Sequence, residues 1–335
     1  MRRALFLLLV ACGSDSVEAP PSAGSPAVDA STAPRDAGNG ASDKPKEDAA
    51  PPPPPDPETR FLAIGDTGKG TAGQQAVADA MAAKCKVDRC DFAVMLGDNL
   101  YESGASSPDD PQFKTKFEDV YAALPIDFYV VLGNHDYGGN GAGTELGKGK
   151  NEVDYTSRSR KWKMPAAHYH FTKADIEFFA LDTNLQMFGV DGAQKTDVDG
   201  WIAASKANWK IALGHHPYKS NGPHGNAGSY DGLSGIPIVS GSGVKSFLEG
   251  HVCGKVDLYL SGHDHSMQWL NETCMGTPLA VSGAAAEFTT LGTKNATAFQ
   301  AVVRGFMYIT VKKKQLVAEF IDEAGTTLHR ETLNK

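Results

Sequence analysis

Five short apolar runs recur from residue 60 onward, and each ends in glycine followed by polar residues. Because the runs carry no polar interruption, they are typical of central strands that are buried on both faces. The runs cover residues 61–64, 92–96, 128–132, 211–213 and 258–260, and they lead into GDTG, GDNLY, GNHD, GHHP and SGHDH.

Helical spacing occurs between some of these runs. Thr71 is a suitable N-cap for a helix that buries Val77, Ala80 and Met81. A second helical pattern consists of Phe113, Phe117, Val120, Tyr121 and Leu124. Two later runs, 306–310 and 316–321, are separated by a turn and predict a hairpin.

Strands that alternate with helices indicate a layered α/β domain. In such folds ligands gather beyond the carboxyl ends of the strands. Every polar cluster of this chain directly follows its strand, so we expect all five clusters to meet at one edge. We predict no internal repeat.

The chain before residue 60 has a different composition. Residues 13–59 hold 11 of the 19 prolines, nine acidic and three basic residues, and no Phe, Trp, Tyr, Leu, Ile or Met. Such a segment cannot offset its ordering entropy by burying apolar surface. We therefore predict that residues 12–59 form a disordered linker and that residues 60–335 form one folded domain.

The first residues are typical of an export signal. Arg2 and Arg3 precede an apolar stretch at 4–10, and the small Ala11 precedes Cys12. We predict a signal peptide at 1–11. Residues 9–12 also resemble a bacterial lipobox, in which the cysteine is lipidated, and Gly13 favours the outer membrane. An alternative is a simple signal peptide with a chance cysteine; either version places the protein outside the cytoplasm, at the outer membrane, cell surface or periplasm.

Composition excludes several classes of protein. With 41% hydrophobic and 21% charged residues, most of the chain can bury a core, and the apolar stretch at residues 4–10 is too short to span a bilayer. The net charge is −8, from 40 acidic and 32 basic residues, so nothing favours a nucleic-acid partner. We expect membrane contact only through Cys12.

Four cysteines remain besides Cys12. An exported protein can form disulfides, and four cysteines allow three pairings. We favour Cys85–Cys90 and Cys253–Cys274 because each pair lies close along the chain. A soft-metal site is the alternative, but the spacing is not CxxC.

The polar clusters contain oxygen and imidazole ligands in the number that suits first-row divalent or trivalent metals. Each motif alone is also typical of an ordinary turn. Five of them in this order, with six of the ten histidines in or beside three motifs, favour a metal site. The candidates are Asp66, Asp98, Asn134, His215, His263 and His265, with His135, His216 and His224 nearby.

These motifs resemble the calcineurin-like metallophosphoesterases and, within them, the mammalian-type, tartrate-resistant purple acid phosphatases. The resemblance covers about residues 60–290, and Tyr101, three residues after Asp98, is specific for the purple branch. It implies a four-layer αββα sandwich of two mixed β-sheets flanked by helices. A dinuclear metal site would lie at the carboxyl ends of the strands.

The resemblance also implies a role for each residue. Asp98 would bridge two metals. Asp66, Tyr101 and His265 would complete an Fe(III) site, and Asn134, His215 and His263 would complete a site for a divalent ion (Fe, Zn or Mn). His135 and His224 match two outer histidines that contact the substrate phosphate and the leaving group, whereas the role of His216 is open.

The implied activity is that of an acid phosphatase acting on small phosphate monoesters. A metal-bound hydroxide would attack in line, without a phosphoenzyme. The alternatives are a phosphodiesterase or nucleotidase of the same superfamily, a redox-active iron centre, and a non-catalytic surface lipoprotein that binds metal or phosphate. We expect residues 184–200 to form a short loop that leaves the site open without proteolytic activation. The natural substrate and the oligomeric state are not predicted.

Overall fold

Short apolar strands form the centre of the protein because both of their faces are buried. The computed structural model describes residues 58–190, 192–234 and 237–335. The chain divides into Met1–Pro53 and Pro54–Lys335, and all described residues belong to the second unit. The predicted signal peptide, Cys12 and all but the last two residues of the predicted linker therefore lie outside the described residues.

The described part contains fourteen strands and six α-helices. The strands are β1 Glu58–Ile64, β2 Phe92–Leu96, β3 Asp127–Val131, β4 Trp162–Lys163, β5 Tyr169–Lys173, β6 Ile176–Ala180, β7 Trp209–Leu213, β8 Leu258–Ser261, β9 Met267–Leu270, β10 Leu279–Ser282, β11 Thr297–Ala301, β12 Gly305–Lys312, β13 Gln315–Asp322 and β14 Thr327–Asn334. The helices are α1 Ala72–Asp88, α2 Lys150–Tyr155, α3 Thr183–Phe188, α4 Gly192–Ala204, α5 Pro237–Ser240 and α6 Ser242–His251.

The strands form two seven-stranded mixed sheets. The first sheet has the order β14-β13-β12-β1-β2-β3-β4, and the second has the order β11-β9-β10-β8-β7-β6-β5. β1 to β4 are parallel neighbours in the first sheet. β6, β7, β8 and β10 are parallel in the second. All five predicted apolar runs lie in these parallel groups.

Side chains of the second sheet alternate between two layers of core, as the two-residue period of a strand requires. Phe178, Ile211 and Leu258 belong to the large core shared with the first sheet. Their neighbours Phe179, Ala212 and Tyr259 belong to a smaller core with Val198 of α4 and Val244 of α6. The predicted arrangement, two mixed sheets with flanking helices, is confirmed.

The predicted first helix and late hairpin are both present, although some boundaries differ from those predicted. Thr71 caps α1 by accepting a hydrogen bond from the Gln74 amide, and Val77, Ala80 and Met81 are buried. The late hairpin is β12–β13, and β14 extends it as an edge strand that the sequence analysis did not identify. The first strand begins at Glu58, two residues before the predicted start of the domain.

Two predicted segments differ from the structure. Residues 113–124 keep their apolar side chains buried, but the regular part is a five-residue π-helical turn at Lys114–Glu118 rather than an α-helix. The loop predicted over 184–200 is wrong: most of the described part of this segment lies in α3 and α4, with Gly189 and Val190 between them. Asp182 begins α3 by accepting a hydrogen bond from the Leu185 amide at 2.9 Å.

Both favoured cysteine pairings form disulfides, with Cα–Cα distances of 5.0 Å for Cys85–Cys90 and 5.3 Å for Cys253–Cys274. In the described part of the chain, no helix is both long enough and apolar enough to cross a membrane.

Candidate metal centre

The predicted metal ligands come from both sheets. Asp66, Asp98 and Asn134 follow β1, β2 and β3 of the first sheet. His215 follows β7 of the second sheet, and His263 and His265 lie between β8 and β9. Since parallel strands end at the same edge, each sheet delivers its ligands to one rim, and the two rims face each other.

Glycine precedes a ligand at these strand ends because no side chain fits there. A Cβ on Gly133 would lie 2.2 Å from Oδ1 of Asp98, and one on Gly262 would lie 2.6 Å from Oδ2 of Asp66. Asp66, Asp98 and His263 have φ values of 59°, 53° and 69°. Non-glycine residues seldom adopt this left-handed region, and when they do they often lie at functional sites.

A first set of donor atoms surrounds the hydroxyl of Tyr101. This oxygen lies 3.1 Å from Oδ1 of Asp66 and 3.0 Å from Oδ2 of Asp98. It also lies 2.9 Å from Nε2 of His265, which in turn is 3.5 Å from Oδ1 of Asp66. These four side chains are the ones predicted for the Fe(III) site.

A second set surrounds Nε2 of His215. This nitrogen lies 2.8 Å from Oδ1 of Asn134 and 3.1 Å from Nδ1 of His263. It is 3.4 Å from Oδ1 of Asp98. Asp98 therefore faces the first set with one carboxylate oxygen and the second set with the other.

These distances fit two neighbouring cations. Ligand atoms bound about 2.1 Å from one metal ion lie roughly 3 Å from each other, which is the separation within both sets. The first set offers hard oxygen donors, and the second offers imidazoles with one amide oxygen, as first-row metals prefer. Among the described residues, Asp66, Asp98 and His215 form one of two groups of side chains close enough to share an ion.

The charges of the site also favour bound cations. Burial, then the charges of Asp66 and Asp98, raises the pKa of the Tyr101 hydroxyl well above 10. A phenolate at this position therefore requires a cation beside it. Burial and the neighbouring His224 lower the pKa of His263, which keeps this imidazole neutral, the form that binds metals.

The two predicted outer histidines flank the donor sets. Nδ1 of His135 lies 2.6 Å from the carbonyl oxygen of Glu102, and its Nε2 is 4.0 Å from Asp98. Nδ1 of His224 lies 2.9 Å from Oδ1 of Asp231, and the His224 ring is 4.1 Å from that of His263. In both cases the partner on Nδ1 leaves Nε2 available.

His216, whose role the sequence left open, is buried beside the second set. Its ring centroid is 4.7 Å from that of His263, and its Nδ1 lies 2.8 Å from Oγ1 of Thr183. His215, His216 and His263 are the second group of histidines close enough to share an ion. Burial lowers the pKa of His216 well below its usual value, so it is neutral.

Two aspartates that position the ligand loops were not predicted. Asp136 is fully buried and accepts hydrogen bonds from the amides of Asn99, Leu100 and Gly133. Asp264 accepts one from the His224 amide at 3.0 Å. Asp136 lies in the GNHD motif and Asp264 in the SGHDH motif. The signal that could have identified them is therefore an acidic residue in a metal-binding motif that is not itself assigned as a ligand.

A cavity of about 320 Å³ opens beside the second donor set, with Asn134, His224 and His263 in its lining. Larger depressions occur elsewhere on the described surface, such as one of about 630 Å³ beside Cys85 and Cys90. That one contains none of the nine predicted site residues.

The site combines two carboxylates with a phenol, an amide and imidazoles at the ends of strands. This combination defines a metal-dependent phosphoesterase site. A family model described as "Calcineurin-like phosphoesterase" matches residues 59–267, and the chain belongs to this family. Within the family it is similar to the purple acid phosphatases, as the motifs predict.

Individual relatives support this placement. Purple acid phosphatase 17 of Arabidopsis thaliana is 30% identical over 250 residues, 70% of each chain. Tartrate-resistant acid phosphatase type 5 of Sus scrofa is 26% identical over 319 residues, 83% of this chain and 87% of the relative. A solved structure, "GAP50 the anchor in the inner membrane complex of Plasmodium", shares the fold with a TM-score of 0.64 and 23% identity, covering 83% of this chain and 89% of that one. The protein is a phosphatase of the hydrolase class.

Proposed function

We propose that the protein is a purple-type acid phosphatase that hydrolyses small phosphate monoesters at an Fe(III)–M(II) centre. The observation that carries this proposal is the position of the Tyr101 hydroxyl, within 3.1 Å of Asp66, Asp98 and His265. A phenol and two carboxylates are hard anionic donors of the kind that a trivalent ion favours.

Two bound cations would supply Lewis acidity toward a phosphate oxygen and lower the pKa of a bound water. The chain contributes the geometry that this chemistry needs. Asp98 faces both sets of donor atoms, and Asp136 fixes the loop after β2 and the loop after β3 through the amides of Leu100 and Gly133. Gly133 and Gly262 leave room for the carboxylates of Asp98 and Asp66. Substrate phosphate would bind at the rim that carries these residues.

His135 and His224 are the residues available to hold and deliver protons. The Glu102 carbonyl and the Asp231 carboxylate accept from Nδ1 of these histidines, which turns Nε2 of each toward the substrate. Either histidine could protonate the leaving oxygen. We expect a mildly acidic optimum, because a trivalent ion would lower the pKa of a bound water further than a divalent ion does. Attack in line without a phosphoenzyme inverts the configuration at phosphorus.

The direct test is metal analysis and a visible spectrum of protein purified without added metal, followed by kinetics on p-nitrophenyl phosphate and its bis-ester. We expect a violet protein with two metals, one of them iron, and a clear preference for the monoester. A colourless but active protein with two divalent ions would contradict the purple assignment. Preference for the bis-ester would indicate a phosphodiesterase, and a metal-loaded, inactive protein would indicate a binding role.

We further propose that the protein is exported and held at a membrane by lipid on Cys12. The support is the sequence of residues 1–13 alone. Fractionation of cells that express the full chain should find it with the membranes, and Cys12→Ser should release it. A Cys12→Ser variant that stays with the membranes would contradict the lipid anchor.

A further inference from the structure

The cavity beside the second donor set is lined by apolar side chains as well as by predicted metal ligands. Besides Asn134 and His263, the lining includes four large apolar or aromatic side chains, Met187, Phe188, Tyr230 and Val239. Met187 and Phe188 are half-buried, and Val239 is 39% exposed, so the wall can be reached from solvent. Tyr230 is held in place because its hydroxyl donates to the carbonyl of Pro217.

We propose that this cavity is the leaving-group subsite and that it takes a compact, uncharged aromatic group rather than one carrying further phosphates. The inference rests on the proposed phosphatase function. His224, one of the two histidines available to protonate the leaving oxygen, lines the cavity, whereas His135 is not among its lining residues. The group attached to that oxygen therefore extends toward Phe188 and Tyr230.

Charge supports this choice of substrate. No lysine or arginine occurs among the described residues that line the cavity. The one carboxylate in the lining is Asp231, which lies 2.9 Å from Nδ1 of His224. The outer phosphates of a nucleoside triphosphate would thus lie near the Asp231 carboxylate, with no lysine or arginine of the described lining to offset the repulsion between like charges.

Size and shape limit the aromatic group. At about 320 Å³, the cavity is at the lower end of the range, about 300–1,000 Å³, that is usual for small-molecule sites. The His216 and Tyr230 rings, with their centroids 6.1 Å apart, are almost fully buried in the lining, so the more exposed Met187, Phe188 and Val239 offer the apolar surface. One or two fused rings fit this description.

The first test compares phenyl phosphate with 2-naphthyl phosphate, whose leaving groups are chemically similar phenols. We expect the larger ester to have the higher kcat/KM in the parent protein. Phe188→Ala should lower kcat/KM for naphthyl phosphate about tenfold, with a smaller effect on phenyl phosphate. Val87→Ala is the matched control, since Val87 is an apolar residue 82% exposed near the end of α1, and it should change neither value.

The second test adds a cation to the wall. Val239→Lys should raise the ratio of kcat/KM for ATP to kcat/KM for phenyl phosphate about fivefold relative to the parent. As a readout that does not depend on turnover, calorimetry with non-hydrolysable 2-naphthylmethylphosphonate should show weaker binding to Phe188→Ala than to the parent.

The possible results distinguish failure of the proposed subsite from failure of the proposed phosphatase function. An active enzyme whose naphthyl-to-phenyl ratio and phosphonate affinity are the same in the parent and Phe188→Ala would overturn the subsite. So would an enzyme that prefers ATP to naphthyl phosphate. A metal-loaded protein that hydrolyses none of these esters would overturn the proposed function itself, and the subsite with it.

Discussion

Asp98 is the side chain on which both donor sets depend, because each of its oxygens faces a different set. Asp98→Ala should therefore lose both metals. It should also lower kcat/KM on the order of 10³-fold or more, because the metals would stabilise the charge of the transition state by several kcal/mol. Metal analysis and p-nitrophenyl phosphate kinetics measure the two effects.

Two further variants control this experiment. Asp98→Asn keeps the shape of the side chain, and Asp79→Ala removes an exposed carboxylate on α1. Asp79→Ala should behave like the parent. Retention of both metals and of normal activity in Asp98→Ala would show that Asp98 does not bridge.

Tyr101 offers a spectroscopic test. If its phenolate binds Fe(III), Tyr101→Phe should lose the visible band and its violet colour, because the phenylalanine ring has no oxygen to donate charge. Tyr121→Phe, at another buried tyrosine, should keep the colour. An unchanged visible spectrum in Tyr101→Phe, with iron still bound, would rule out this ligand.

Asp110 links stability to pH at a site away from the metals. Burial alone would raise the pKa of Asp110, but hydrogen bonds from Ser106 and Gln112 outweigh it and lower the pKa to about 2. Since the ordinary pKa of 3.8 applies to the unfolded chain, the stabilisation is present above about pH 4 and disappears as pH falls toward 2.

Asp110→Asn should accordingly lower the free energy of unfolding by about 1 kcal/mol at pH 7, and the difference from the parent should narrow at pH 3. Urea unfolding at the two pH values measures it. Asp109→Asn, at the exposed neighbouring carboxylate, should have a smaller effect. If the free energies of unfolding of Asp110→Asn and the parent differ by the same amount at both pH values, the ionised carboxylate of Asp110 is not the source of this stabilisation.

At the scale of single elements, the two disulfides close loops of different length. Cys253–Cys274 joins residues 21 apart, whereas Cys85–Cys90 joins residues 5 apart. In the chain-entropy account, the longer loop stabilises by about 3 kcal/mol and the shorter by about 2 kcal/mol.

Replacing both cysteines of a pair by serine should therefore destabilise the protein more for Cys253 and Cys274 than for Cys85 and Cys90. Urea unfolding of the two double variants, each compared with the parent, measures the order. The reverse order would show that native packing around the disulfides, rather than loop closure, dominates their effect.

Element prediction from the sequence succeeded where local signals agree and failed where they conflict. Thr71 and the spacing of Val77 and Met81 gave α1 correctly. The glycines at 189, 192 and 200 favoured a loop, yet the segment is helical because the Asp182 cap and the packing of Val198 against the second sheet outweigh them. That the site needs no proteolytic activation stays a prediction.

At the scale of the whole molecule, the order of motifs predicted the fold class and one common rim. It could not predict which run joins which sheet, because the pairing of β10 with β8, or of β12 with β1, depends on long-range packing. For the same reason, the contribution of Asp136 to the loop after β2 became visible only in three dimensions.

The donor sets join two sheets, so metal binding should stabilise the entire domain. Ions that bind only the folded state at 100 to 1,000 times their Kd add roughly 3–4 kcal/mol to the free energy of unfolding. Removal of metal with a chelator should lower the Tm while unfolding remains a single transition, as calorimetry can show. Asp98→Ala should not respond to the chelator, and an equal response would indicate metal bound elsewhere.

Because Asp66, Asp98 and Asn134 belong to one sheet and His215 and His263 to the other, neither half of the chain can assemble the centre alone. A nascent or partly folded polypeptide therefore lacks the assembled site that would bind its metal ions. For a chain that crosses a membrane unfolded, the compartment in which it folds, rather than the one in which it is made, would decide which metals it acquires.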